Sequence, residues 1–318
     1  MPVNKSYLWV EKYSPTKISE CILPPTLKKE FQQIVDNKEL SNMLFIGDAG
    51  VGKTTVAKVL CEELNIDMMF MNASCERGID DVRNKIQSFA STTSLYGSYK
   101  VMLLDEADNL TQDAQKSLRA LIEQYQSNCR FILTCNYAYK LIDPLRSRLQ
   151  EYVFNYPKDN QKIKNQFIKR LLTILTEEQI KLTKDDLPTI ESLVDLYYPN
   201  WRKVLHQLQR CCASGVIDRE VVSKVREEHI STLFELMKAK NFTKVREWVA
   251  ESMSNGVEST DIVNMIYTEI KEYLVPKSLP QCVLTLADYQ HRASVVANQE
   301  INTVAMCVEI MMSVEFKF

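Results

Sequence analysis

Residues 47–54, GDAGVGKT, fit the spacing G-x-x-x-x-G-K-[ST]. Each position suits work on a polyphosphate. Gly50 and Gly52 let the backbone fold its N–H groups around phosphate oxygens. Lys53 can reach the β- and γ-phosphates, and the Thr54 hydroxyl suits Mg²⁺. A second segment, LLDEAD (103–108), brings carboxylates. Asp105 is placed to hold Mg²⁺ through water, and Glu106 to polarise an attacking water. A glutamate base beside a phosphate also needs positive charge against the transition state. Arg146 and Arg148 in DPLRSRLQ, and Arg202 in PNWRKVL, are the candidates, and the sequence does not choose among them. The expected chemistry is ATP binding and hydrolysis, with nucleotide contacts along Gly47, Gly50, Val51, Gly52, Lys53, Thr54 and Thr55.

These residues need a strand, a loop and a helix to place them. MLFIG (43–47) is an apolar run that stops at glycine, and the sequence after it turns helical. DMMFMNA (67–73), KVMLLDEAD (100–108) and CRFILTCN (129–136) read as three more strands, with helices between them. The third is apolar until its carboxylates, as a strand buried on both faces should be. This alternation predicts a parallel α/β sheet. After about Tyr156 the strand signal ends. Ile163, Phe167, Leu171, Leu172 and Leu175 fall on one helical face, and LPTIESLVDLYY and WRKVLHQLQRCCA predict two more helices. From about Glu228 onward the pattern stays helical, with breaks near Asn255-Gly256 and between Pro276 and Pro280. The expected division is an α/β nucleotide-binding domain over 1–156, a helical lid over 157–228 and a helical oligomerisation collar over 229–318.

Bulk composition excludes several classes. The chain has 318 residues with a net charge of -2, so no global positive field points to nucleic acid. Its 9 cysteines form no CxxC pair and accompany only 3 histidines, which argues against structural zinc and for reduced thiols in a cytosol-like compartment. No apolar stretch approaches a membrane span, and the N-terminus carries no leader-like apolar region, so a cytoplasmic location is expected.

The segments together resemble the sliding-clamp loaders of the AAA+ class over nearly the whole chain. WVEKYSPTKISECILP resembles the loader N-terminal box, and NASCERGIDDVR the N-A-S-D-E-R-G-I-D-x-V-R segment of replication factor C small subunits. DAQKSLRALIEQYQSNCRFILTCNY is similar to the same family's D-A-Q-x-x-L-R-R-x-M-E-x-Y-x-x-x-C-R-F-I-L-x-C-N-Y. SRLQ stands at the Ser-Arg-Cys motif and WRKVLHQLQ at the second sensor. ECILP, the DMMF strand and the YQHRASVVANQEI region most resemble the large ATPase subunit of tailed-bacteriophage loaders. In that case the cytoplasm would be a host's.

The resemblance implies an AAA+ fold and roles for individual positions. Tyr13 and the backbone near Ile22 would frame the adenine, with Lys12 and Pro15 in the same box. Asn136 matches sensor 1 and would position the water. Arg202 matches sensor 2 and would contact the γ-phosphate of its own subunit. Arg148 matches the arginine finger, which in this family acts on a neighbour's ATP, so hydrolysis would need an oligomer. Arg77, Gly78, Ile79, Arg83 and Lys85 would track template-strand phosphates; Gln115 and Arg119 would couple the nucleotide site to that DNA face. Phe89 to Tyr96 would present apolar groups to the clamp. Implied partners are further copies of the chain, an accessory loader subunit, the sliding clamp and primer–template DNA, with no membrane. Three positions depart from the pattern: Ser14 replaces an arginine, Leu149 the cysteine of Ser-Arg-Cys, and Cys75 a common aspartate. Two other readings remain open at this level, a different AAA+ DNA motor such as a branch-migration helicase, and a non-catalytic scaffold subunit that binds nucleotide.

Overall fold

The computed structural model describes residues 7–75, 78–92, 99–157, 160–183, 186–218, 230–254, 257, 259–293 and 295–317. Met43–Ile46 (β1), Met68–Asn72 (β2), Lys100–Asp105 (β3), Cys129–Cys135 (β4) and Gln150–Val153 (β5) form one parallel sheet in the order β2-β3-β4-β1-β5. The four expected strands are present. Val101 to Leu104 are fully buried, which accounts for the unbroken apolar run in β3. The fifth strand carries almost no apolar signal. It pairs only with β1, at the sheet edge, and of its QEYV sequence only Tyr152 is buried.

Helices cover the sheet: Pro25–Asn37 (α2), Lys53–Glu63 (α3), Ile79–Ala90 (α4) and Gln112–Gln124 (α5), with the short turns Trp9–Lys12 (α1) and Asp143–Arg146 (α6). Register matters more for function than packing does. Ile46 of β1 pairs with Cys135 of β4, and Asn72 of β2 with Asp105 of β3, so the carboxyl ends of all four strands lie level. The chain reverses its direction across the sheet between β1 and β4, where such folds open a crevice for ligands.

Three further helices complete the first compact unit, Met1–Ile217: Gln161–Glu177 (α7), Asp186–Tyr197 (α8) and Trp201–Cys211 (α9). Their starts are written in the sequence. Asn160 accepts a hydrogen bond from the Ile163 N–H at 3.3 Å, and Asn200 accepts one from the Lys203 N–H at 3.0 Å. Ile163, Phe167, Leu171 and Leu175 are buried as expected, Leu172 only partly.

The second unit, Asp218–Phe318, is all-helical among its described residues apart from one isolated bridge between Leu274 and Phe316. Ile230–Lys238 (α10), Phe242–Ser254 (α11), Ser259–Tyr273 (α12), Leu279–Ala293 (α13) and Gln299–Ser313 (α14) surround their own core, which includes Phe234, Trp248, Ile266, Cys282 and Met306. Phe234 stacks on Tyr273 with ring centroids 4.4 Å apart. All nine cysteines of the chain are free, and among the described residues no helix is long and apolar enough to cross a membrane.

Candidate nucleotide site

The loop leaving β1 has to turn back on itself before α3 can begin. Gly50 and Gly52 do this with φ of 78° and 96°, a region that side chains other than glycine rarely adopt. At Gly50 there is a second constraint. A Cβ built there would lie 1.9 Å from Asn200 Oδ1, so the residue that caps α9 rests directly on the phosphate loop.

Lys53 is 7% exposed, and burial lowers its ammonium pKa. It donates to the Gly47 and Asp48 carbonyls at 2.7 and 2.8 Å and to Asn136 Oδ1 at 2.8 Å. The last bond joins the start of α3 to the residue that follows β4, as the level register of β1 and β4 allows. Thr54 Oγ1 donates to Asp105 Oδ1 at 2.6 Å, and Thr134 Oγ1 donates to the same oxygen at 2.6 Å. Glu106 turns with φ 55°, a left-handed conformation unusual for a glutamate. Its N–H donates to Thr134 Oγ1 at 3.0 Å, and its Oε2 accepts from Asn109 Nδ2 at 3.4 Å. Backbone strain of about 1–3 kcal/mol at such a residue is held by its surroundings and recurs at functional sites.

Asp108, the last residue of LLDEAD, has a part that sequence reasoning missed. It is 8% exposed and accepts from the Asn136 and Tyr137 N–H groups at 3.4 and 3.2 Å, which fixes the turn presenting Asn136.

One wall of the pocket is the N-terminal box, the other the lid helices. Tyr13, Ser14, Pro15, Ile22, Val51, Thr55 and Arg202 all line it, together with Trp201 and Arg170. Lys12 Nζ and Tyr13 OH both donate to Glu178 Oε1 at 2.7 Å, tying the box to the end of α7. Tyr156 OH stands within 3.2 Å of both the Ile22 and the Val51 carbonyls, and burial pushes its phenol up. Glu178, Tyr156 and Asn200 carry no local signal, because their partners lie far away in sequence.

The three candidate arginines separate. Arg202 lines the pocket. Arg146 pairs with Glu151 of β5 at 2.9 Å and with Asp143, so it secures the edge strand. Arg148 contacts Glu123, the Pro144 carbonyl and Ser147 Oγ, and is not among the pocket's lining residues. Leu149, at the place of the family cysteine, is buried in the sheet core.

Gln115 is 1% exposed. It donates to the Leu110 and Lys140 carbonyls, both at 3.1 Å, and accepts from the Ile142 N–H at 2.8 Å. One side chain thereby joins the turn after Glu106 to the segment between Asn136 and Arg148. Arg119 pairs with Glu123 at 3.4 Å. Of the expected DNA-facing set, Gly78 caps α4, Ile79 is its first residue, and Arg83 and Lys85 are exposed; Arg77 lies outside the described residues. Phe89 is half-buried against the sheet core, and positions 93–96 of the expected clamp-facing segment lie outside the described residues.

Comparison with known proteins agrees along the whole length. Residues 43–156 match the ATPase family associated with various cellular activities (AAA), 159–223 the AAA+ ATPase lid domain of the sliding-clamp-loader large subunit, and 225–309 the replication factor C C-terminal domain. The chain is 35% identical over 308 residues to the replication factor C small subunit of Archaeoglobus fulgidus, covering 92% of this chain and 94% of that one. It is 31% identical over 321 residues to the sliding-clamp-loader large subunit of Enterobacteria phage T4, covering 99% and 98%. The Thermotoga maritima RuvB Holliday junction branch migration motor superposes with a TM-score of 0.53 at 19% identity, over 67% of this chain and 72% of that one. That likeness is one of fold.

Proposed function

The chain belongs to the sliding-clamp-loader family of AAA+ ATPases, and on that premise we propose that it is a motor subunit whose ATP sites are completed between neighbouring copies. It would open and load a ring-shaped clamp onto primer–template DNA, with accessory loader subunits. The observation that carries this reading is the separation of the two arginines. Arg202 lines the chain's own pocket, whereas Arg148 stands on another face and makes no contact with it.

ATP would lie with its adenine between Tyr13 and the Ile22 backbone and its phosphates over the loop from Gly47 to Thr55. Lys53 already sits on carbonyls of that loop, ready to exchange them for phosphate oxygens. Thr54 and Asp105 offer the hard oxygen donors that Mg²⁺ requires, and their 2.6 Å hydrogen bond brings those donors together. Bound there, the ion would neutralise charge on the phosphates. Glu106 would polarise the attacking water, Asn136 would orient it with Asp108 behind, and Arg202 would contact the γ-phosphate from the lid. Arg148 of a neighbour would stabilise the charge of the transition state.

Arg77, Gly78, Ile79, Arg83 and Lys85 would follow the template strand, each copy supplying a few phosphate contacts, as suits a chain of net charge -2. Gln115 would carry the DNA signal, since it bonds to both the Glu106 turn and the segment leading to Arg148. We read residues 1–156 as the nucleotide-binding domain, 157–228 as the lid and 229–318 as the collar that joins copies. The phage-type assignment rests on the likeness to the T4 subunit and would place the protein in a host cytoplasm. ATP turnover by the purified chain, with and without primer–template DNA, tests the whole reading. Stimulation by DNA that vanishes in Arg148→Ala is expected; turnover indifferent to DNA and to Arg148 would overturn it.

A further inference from the structure

Arg148 is held in its own chain. Its Nε donates to Glu123 Oε1, and its Nη1 donates to the Pro144 carbonyl at 2.7 Å and to Ser147 Oγ at 3.0 Å. Glu123 lies in the last turn of α5, and the same Oε1 accepts from Arg119 Nε, one turn earlier, at 3.4 Å. Two guanidinium groups therefore converge on one carboxylate oxygen. The Arg148 hydrogen bond, ahead of the nearby charges, holds the Glu123 carboxyl below its ordinary range.

Exposed ion pairs of this kind contribute little to stability, but they decide geometry. A guanidinium presents five donors in a rigid planar fork. A partner at Nε fixes the plane and the rotamer, and Nη2 takes no part in the three contacts named. The charge balance points the same way. One carboxylate between two arginines leaves a net positive charge on the face, so placing the finger does not neutralise it.

We propose that Glu123 is a positioning residue for the arginine finger: it fixes the Arg148 guanidinium in the subunit that donates it, with Arg119 as the second cation that keeps the carboxylate in place. The inference rests on Arg148 acting on a neighbour's nucleotide. Glu123 touches no nucleotide itself. Without it, the long Arg148 side chain must be ordered anew at each turnover, and that entropic cost falls on the chemical step.

The test compares Glu123→Ala, Glu123→Gln, Arg148→Ala and the double variant in the assembled oligomer, with ATP and a primer–template DNA. For Glu123→Ala, kcat is expected to fall about tenfold, with the KM for ATP and the ATP affinity of the separate chain unchanged. Glu123→Gln, whose carbonyl still accepts from Nε, is expected to recover part of the loss. In the Arg148→Ala background, Glu123→Ala is expected to add nothing. Mixing supplies the readout that a merely structural residue would not move. Chains carrying Glu106→Gln and Glu123→Ala together should depress wild-type neighbours more than chains carrying Glu106→Gln alone. An unchanged kcat overturns the proposal, as does an equal loss in the Arg148→Ala background or a weakened ATP affinity in the separate chain. If Arg148→Ala leaves turnover intact, the neighbour reading itself falls and this proposal with it, an outcome distinct from indifference to Glu123 alone.

Discussion

The nucleotide pocket and the Arg148 face belong to the same compact unit and are built by opposite rules. In the pocket, polar groups satisfy one another across long sequence distances. Lys53 bonds to Asn136, Thr54 and Thr134 bond to Asp105, all in part-buried surroundings, and Tyr156 joins two walls. On the Arg148 face, the partners are Glu123, Pro144 and Ser147, and the carboxylate is shared by two partly exposed arginines. The first arrangement lets one chain bind its ligand. The second organises a charge for use elsewhere. Substitutions that remove the pocket's hydrogen-bonded groups should therefore disturb both binding and folding, whereas those on the Arg148 face, like those at the water-polarising Glu106, should disturb turnover alone.

Arg148→Ala breaks the comparison most directly. Turnover of the assembly should fall about a thousandfold, the lower end of what an arginine finger supplies, while denaturant stability should shift by no more than about 1 kcal/mol, as for a partly exposed ion pair. A comparable loss of ATP affinity in the separate chain would show that Arg148 serves its own pocket. Glu106→Gln should lower turnover about a hundredfold, within the range for a positioned general base, and equilibrium ATP binding should persist. Tyr156→Phe sharpens the other side. It leaves the Ile22 and Val51 carbonyls without their shared hydroxyl, so a urea midpoint should report a loss of about 1–2 kcal/mol, together with weaker ATP binding.

The smallest effect is one of pH. The Lys12 hydrogen bond, followed by that of Tyr13, holds the Glu178 carboxyl below its ordinary value of 4.5. Its contribution is complete above that value and is lost as pH falls through the depressed one. The stability difference between the wild type and Glu178→Ala should therefore close in acid. A difference that stays constant down through that window would show that the N-terminal box is held by packing instead.

How legible each part was depended on where its partners lie. β1, β3 and β4 were readable because strands in the sheet interior are buried and apolar, β2 because its MMFM run stays apolar even at an edge with Phe70 exposed, and the phosphate loop because its glycines answer a local backbone demand. β5 was not. Gln150 and Glu151 are exposed, and that strand is recognised only by its pairing with β1. Gln115 is one polar residue among several on its helix, and only its three hydrogen bonds set it inside the molecule. Asp108 was visible as part of LLDEAD, but its hold on the Asn136 turn depends on β4 lying beside β3.

By itself, the sequence determined that this chain is an α/β phosphate-loop protein with a carboxylate pair and three candidate arginines, because spacing along one strand, loop or helix is a local property. Only the tertiary structure separated those arginines. Arg202 is brought to the pocket by the lid, Arg146 is spent on an edge strand, and Arg148 is left on a face where Glu123 holds it. Charge and spacing are the same in kind for all three, and what differs is which distant groups the fold sets beside each.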